Sequence, residues 1–199
     1  MKKIVVIGGG TMGLDIAQVF ARNGYDVVVR DIKDEIIQAS EARLNKGLDK
    51  LVSKGKLDEA KKAEILSHMS FTTELAAAAD ADLVVEAAIE NLDIKKSIFA
   101  ELDSLCKPET ILASNTSSIS ITAIAAATKR ADKFIGMHFF KTTFSSVTIS
   151  SRVNGPVPTI WEPNSSPQPS TSSFGRMTFP ISANWLMNGP ATDFIWITT

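Results

Sequence analysis

The sequence predicts an α/β protein built on a doubly wound, mostly parallel β-sheet. Three observations carry that expectation. Short apolar runs rich in Val and Ile recur along residues 1–140 and read as strands buried on both faces. Helical patterns separate most of them, as crossovers between parallel strands require. Between the first run and the first helix lie closely spaced glycines, the turn that opens a βαβ unit.

Residues 3–7 form the first β-branched run. Met12, Ile16, Val19 and Phe20 then recur at helical spacing until Asn23-Gly24 supplies a C-terminal stop. Residues 27–29 make a second buried strand, ending at Arg30-Asp31. From Asp34 to about His68 the pattern is helical and charged but broken near Gly55, which predicts a helical pair inserted after the second strand. Further strands are expected at 69–72, 83–86, 110–113 and 134–137, with the clearest remaining helices at 93–106 and 120–128. No internal repeat is apparent.

Composition divides the chain in two. Residues 141–199 hold seven of the eight prolines and all three tryptophans, but only five of the 43 charged residues. Ser165, Ser166 and the run Ser170-Thr171-Ser172-Ser173 lie in a low-complexity polar stretch. The expected division is therefore 1–140 as one folded domain and 141–199 as an irregular Ser/Thr/Pro-rich tail. A net charge of −1 argues against general nucleic-acid binding. No apolar run approaches the length of a membrane span, and the basic start followed by residues 4–7 is too short for a signal peptide. A single cysteine, Cys106, has no internal disulfide partner, so a reducing cytoplasm is the expected compartment.

Gly8, Gly10 and Gly13 have the spacing G-x-G-x-x-G between a strand and a helix. The first permits the tight turn, the second lets backbone approach a pyrophosphate, and the third lets helix and strand pack closely. This is the fingerprint of a Rossmann-type dinucleotide site, with Thr11 and Met12 inside the loop. Asp31 follows Gly13 at the end of the second strand, where a carboxylate accepts hydrogen bonds from ribose hydroxyls and repels a 2′-phosphate. The expected cofactor is NAD, although Arg30 and Lys33 beside Asp31 soften the preference over NADP. Without the motif, Asp31 would read as a solvated strand end or a helix cap.

Three later segments narrow the assignment. Val85-Glu86-Ala87-Ala88-Ile89-Glu90-Asn91, Ser114-Asn115-Thr116-Ser117-Ser118 and Gly136-Met137-His138-Phe139-Phe140 resemble successive signatures of the 3-hydroxyacyl-CoA dehydrogenase family. Met12 matches that family's form of the glycine loop. With Met1 immediately before the first strand, the chain resembles the stand-alone bacterial members acting on 3-hydroxybutyryl-CoA more than a module of a multifunctional fatty-acid oxidation subunit. The resemblance implies an oxidoreductase that reversibly oxidises 3-hydroxyacyl-CoA to 3-ketoacyl-CoA with NAD. His138 would be the general base, Ser117 would hydrogen-bond the reacting oxygen, and Asn115 would position cofactor or substrate. Glu90 and Lys95 would lie near the nicotinamide and its ribose, whereas by themselves they read as a helix start with an exposed ion pair. Lys50, Lys54 and Lys56 would contact the phosphorylated end of coenzyme A, against the plainer reading of lysines solvating a helix face among Asp49, Asp58 and Glu59. No metal ligands are assigned.

The family pattern stops after Phe140. The resemblance implies an orienting glutamate twelve residues after His138, and Ser150 occupies that position. It also implies a homodimer formed mainly through a helical C-terminal domain, which residues 141–199 do not match. That tail reads as out of frame or otherwise foreign to the fold. Two functions follow: a short-chain 3-hydroxyacyl-CoA dehydrogenase, or a dinucleotide-binding fragment without turnover.

Overall fold

The computed structural model describes residues 2–139 and the backbone of 147–150. Its strands are β1 (Lys3–Ile7), β2 (Asp26–Arg30), β3 (Met69–Thr72), β4 (Leu83–Glu86), β5 (Ile111–Ser114), β6 (Phe134–Phe139) and β7 (Val147–Ser150). The α-helices are α1 (Thr11–Arg22), α2 (Asp34–Ser53), α3 (Glu59–Ser67), α4 (Leu92–Leu105) and α5 (Ile121–Ala125). All seven strands join one sheet in the order β3-β2-β1-β4-β5-β6-β7, parallel except for β7. The first six have the order of a Rossmann sheet, with the reversal between β1 and β4.

Period-two alternation puts helices on both faces. Ile4 and Val6 of β1 pack with Leu14, Leu44, Leu48 and Ile65 of α1, α2 and α3. Val5 and Ile7 point the other way, into a cluster with Phe99, Leu102 and Ile124 of α4 and α5. The four β1 side chains are at most 2% exposed. That burial on both faces explains why the strand has no polar alternate positions. On the second face, Phe99 meets Phe134 of β6 edge-on at 4.6 Å between centroids.

The helical pair after β2 is present, ending and restarting around the turn at Gly55 (φ 63°). β2 (Asp26–Arg30), α4 (Leu92–Leu105) and β6 (Phe134–Phe139) differ by one or two residues from the expected 27–29, 93–106 and 134–137, and three further differences have local causes. Thr110 belongs to a turn, its hydroxyl donating to Ala81 O at 2.6 Å, so β5 starts one residue later. The helix expected to reach residue 128 stops at Ala125, because Ala127 N–H and Thr128 N–H bond three residues back and tighten the last turn. Within the segment expected as an irregular tail, Val147–Ser150 form β7, which pairs antiparallel with β6 and places Thr148 opposite His138 and Ser150 opposite Gly136. Pairing satisfies the backbone of an otherwise open sheet edge, and the alternation of Val147 and Ile149 with Thr148 and Ser150 was hidden by the Ser/Thr-rich composition around it. The remainder of the expected tail, 141–146 and 151–199, lies outside the described residues, as do Met1 and Phe140. Among the described residues no helix is long and apolar enough to cross a membrane.

Candidate active site at the C-terminal rim of the sheet

Parallel pairing continues past the strand ends and sets the loops side by side. Gly8 N–H donates to Arg30 O, Ala87 N–H to Ile7 O, and Asn115 N–H to Glu86 O, each at 2.8 Å. Asp31, Gly8, Ala87, Asn115 and His138 therefore follow one another along one rim, in the order of their strands. From β2 to β6 the rim spans about 19 Å at the usual strand spacing. A ligand touching both ends must be elongated.

The glycine loop is a space-limited cradle. Gly8 has φ 110°, and a Cβ there would stand 2.6 Å from Ala87 O. A Cβ on Gly13 would stand 1.8 Å from Gly8 O, so close packing of α1 on the loop requires glycine. Gly10 differs, because a Cβ there would meet nothing within 4 Å. That open space lies at the N-cap of α1, a 12-residue helix with no acidic residue in its first turn. Free N–H groups and the positive helix end favour an anion at that place. The loop is held from outside by Ser40, whose buried hydroxyl donates to Gly9 O, and by Arg43, whose Nη1 donates to Thr11 Oγ1 at 3.0 Å. Thr11 is exposed, whereas Met12 packs half-buried against the core.

Asp31 Oδ2 accepts from Gly9 N–H and Oδ1 from Ile32 N–H, both at 2.7 Å. The carboxylate is thereby fixed beside the loop at the end of β2. It is not a helix cap: α2 begins at Asp34 after Lys33, without a side-chain cap. Arg30 sends Nε to Thr73 O at 3.1 Å.

On the other side of Gly8 lies a buried charge cluster. Glu86, 0% exposed, ends β4 and accepts from Lys95 Nζ, Ala88 N–H and Ser114 Oγ, each at 2.6 Å. Lys95 is 1% exposed and also lies 3.3 Å from Glu90 Oε2. This corrects the expected exposed ion pair: Lys95 is a buried cation bridging two acids, because α4 packs its first turn against the end of β4. Glu90 in turn accepts from the hydroxyls of Thr116 and, at 2.9 Å, Ser118. Burial pushes the Glu90 carboxyl up, but these hydroxyls and Lys95 bring it below its ordinary value.

Asn115 Oδ1 accepts from Phe139 N–H at 2.8 Å, tying the loop after β5 to the residue that follows His138. His138 is partly buried on β6. Desolvation pulls its imidazole below the ordinary value, opposed by the negative charge of Glu90. Ser117 is exposed on the loop between Thr116 and Ser118. The structure thus gathers Asn115, Ser117, Glu90, Lys95 and His138 at adjoining strand ends. Lys50, Lys54 and Lys56 stand apart, exposed at the far end of α2 and the turn beyond, while Lys61 and Lys62 are engaged with Glu64, Asp49 and Glu59. Lys54 lies about 16 Å along the helix from Arg43. Glu86, Ser114, Thr116, Ser118, Ser40 and Arg43 carried no assigned role in the sequence. An acid closing the apolar run Leu83-Val84-Val85 was the available signal for Glu86.

Residues 3–144 match the NAD-binding domain of 3-hydroxyacyl-CoA dehydrogenase. The chain belongs to the 3-hydroxyacyl-CoA dehydrogenase family. A 3-hydroxybutyryl-CoA dehydrogenase of Clostridioides difficile is 55% identical over 138 residues, covering 69% of this chain and 49% of that protein. A probable 3-hydroxybutyryl-CoA dehydrogenase of Deinococcus radiodurans is 53% identical over 137 residues, with the same coverage of 69% and 49%. The crystal structure of (S)-3-hydroxybutyryl-CoA dehydrogenase from Ralstonia eutropha superimposes with a TM-score of 0.68 at 46% identity, covering 70% of this chain and 50% of that one. The chain spans about half the length of the curated relatives it matches. The cradle fits the family's cofactor, NAD: Gly8 and Gly13 let the loop and α1 pack closely, Gly10 leaves open space at the helix N-terminus, and the Asp31 carboxylate stands beside the loop.

Proposed function

We propose that this chain carries the cofactor half of an NAD-dependent dehydrogenase that interconverts short-chain 3-hydroxyacyl-CoA and 3-ketoacyl-CoA in fatty-acid or butanoate metabolism. The observation that carries the reading is the rim itself, where a glycine cradle and a partly buried histidine lie at opposite sides of one braced loop cluster. Gly8, Gly10, Thr11 and Gly13 would hold the pyrophosphate, Asp31 the adenosine ribose, and Glu90 and Lys95 the nicotinamide side. Bound there, the cofactor would supply the acceptor for the hydride leaving the substrate carbon that bears the hydroxyl.

His138 takes the proton of the substrate 3-hydroxyl, and returns it in the reductive direction. Burial favours its neutral form, the state required of a base near pH 7. Ser117, exposed on its loop, donates a hydrogen bond to the reacting oxygen. With Asn115 Oδ1 engaged by Phe139 N–H, contact with cofactor or substrate falls to its Nδ2. Lys50, Lys54 and Lys56 are proposed for the coenzyme A phosphates, as point charges at the rim of the helical pair. The free, buried Cys106 thiol suits a reducing cytoplasm. A homodimer is what the family resemblance implies.

One observation favours a second reading, a dinucleotide-binding chain without turnover. Ser150, at the position of the family's orienting acid, sits in the β7 register next to the Thr148–His138 pair, and a serine supplies no charge there. Losing the orienting acid of a comparable histidine costs about 10⁴ in turnover. The test is acetoacetyl-CoA with NADH, followed by loss of NADH absorbance, beside NADH binding. The dehydrogenase reading expects binding, weak turnover, and a gain of at least roughly ten-fold in Ser150→Glu. Binding with no turnover in either chain establishes the second reading.

A further inference from the structure

The cluster beside the glycine loop holds an uneven charge count. Lys95 is paired with both Glu86 and Glu90, so with both carboxylates ionised the trio carries one surplus negative charge. Glu86 is buried and its oxygens are engaged by Lys95, Ala88 N–H and the Ser114 hydroxyl. Glu90 is different. Its side chain is 42% exposed, and Lys95 stands farther from it, at 3.3 Å. The surplus charge is therefore expressed at Glu90, the more exposed and more distant of the two acids. The Thr116 and Ser118 hydroxyls fix that carboxylate in place without neutralising it.

Position gives the charge a consequence. A dinucleotide with its pyrophosphate on the loop after β1 and its adenosine beside Asp31 extends its nicotinamide toward β4 and β5. Glu90 follows β4 and grips the loop that follows β5. The nicotinamide ring is cationic when oxidised and neutral when reduced. We infer that Glu90 biases this site toward the oxidised dinucleotide, by holding a carboxylate that Lys95, shared with Glu86, only partly compensates beside the nicotinamide end of the rim. The inference rests on the reading of the glycine loop as an NAD site. One unit charge a few ångströms away in a solvated cleft corresponds to roughly a five-fold change in affinity.

The experiment compares dissociation constants for NAD⁺ and NADH in the full chain, by calorimetry and by fluorescence titration respectively. Glu90→Gln keeps a hydrogen-bond acceptor for Thr116 and Ser118 while removing the charge, and Glu90→Ala removes both. Glu101→Gln, on the outer face of α4, controls for net charge. In both Glu90 variants NAD⁺ should weaken roughly five-fold relative to NADH, while Glu101→Gln keeps the wild-type ratio. A purely structural role for Glu90 would leave Glu90→Gln like wild type and weaken both ligands equally in Glu90→Ala, which overturns the inference. Wild type binding neither ligand overturns the NAD reading itself, so the two failures are told apart.

Discussion

Gly10 and Gly13 separate ligand space from packing space at the level of single atoms. Added at Gly13, a Cβ would collide with Gly8 O at 1.8 Å, and backbone cannot move aside as a flexible side chain does. Added at Gly10, it would enter open space beside the N-terminus of α1. Gly10→Ala should therefore keep the wild-type melting temperature yet weaken NADH binding by roughly ten-fold or more, whereas Gly13→Ala should lower both stability and affinity. Fluorescence titration beside thermal unfolding checks this, and a Gly10→Ala chain that binds NADH normally would remove the pyrophosphate from that space. The glycines and Asp31 were legible in the sequence because their spacing is local. Burial of Lys95 was not. Its partner Glu86 lies nine residues away and its environment is built by α4, β4 and β5 together. Sequence spacing alone made Glu90 and Lys95 a surface pair.

Among the elements, α4 does most to hold the rim in register. Its N-cap Asn91 accepts from Asp93 N–H and Ile94 N–H, each at 3.0 Å, and starts the helix where the chain leaves β4. One turn in, Lys95 reaches back to Glu86. A turn further, Phe99 packs on Phe134 at the base of the strand that carries His138. Phe99→Ala should destabilise the domain by about 3–5 kcal/mol, measured by urea unfolding. A loss under about 1 kcal/mol would mean that the site collapses around the gap. The strands and long helices were readable from periodicity, since each is a local pattern. Their limits were less so: α5 ends where i to i−3 bonds take over, and β7 exists because β6 presents an edge to pair with. Neither condition is written in the segment concerned.

For the whole molecule, stability should fall with acid in a way the ion pairs dictate. Lys107 and the Lys2 and Lys3 N–H groups hold the Asp82 carboxyl well below the ordinary carboxylate range, despite some desolvation. Burial raises Asp103, but the Lys129 N–H and Arg130 guanidinium more than offset it and leave its pKa lowered. A carboxyl whose folded pKa is depressed stabilises the fold above its unfolded pKa, about 4, and loses that contribution as pH falls toward the folded value. His138, depressed by burial, acts in the same direction from about pH 6.5 downward. The melting temperature should thus decline slightly between pH 7 and 5 and steeply below pH 4, with Asp103→Asn blunting the second step. Circular dichroism across that range checks it, and a flat profile to pH 3 would refute it. The amino-acid sequence by itself determined the alternation of strands and helices, the glycine cradle, its acidic partner and the family, because each depends on residues close together in the chain. Only the tertiary structure decided that Lys95 is buried between two acids, that Asn115 braces the strand of His138, and that Thr148 is the register partner of that histidine. Burial and charge pairing arise from residues far apart in sequence that the sheet brings to one rim.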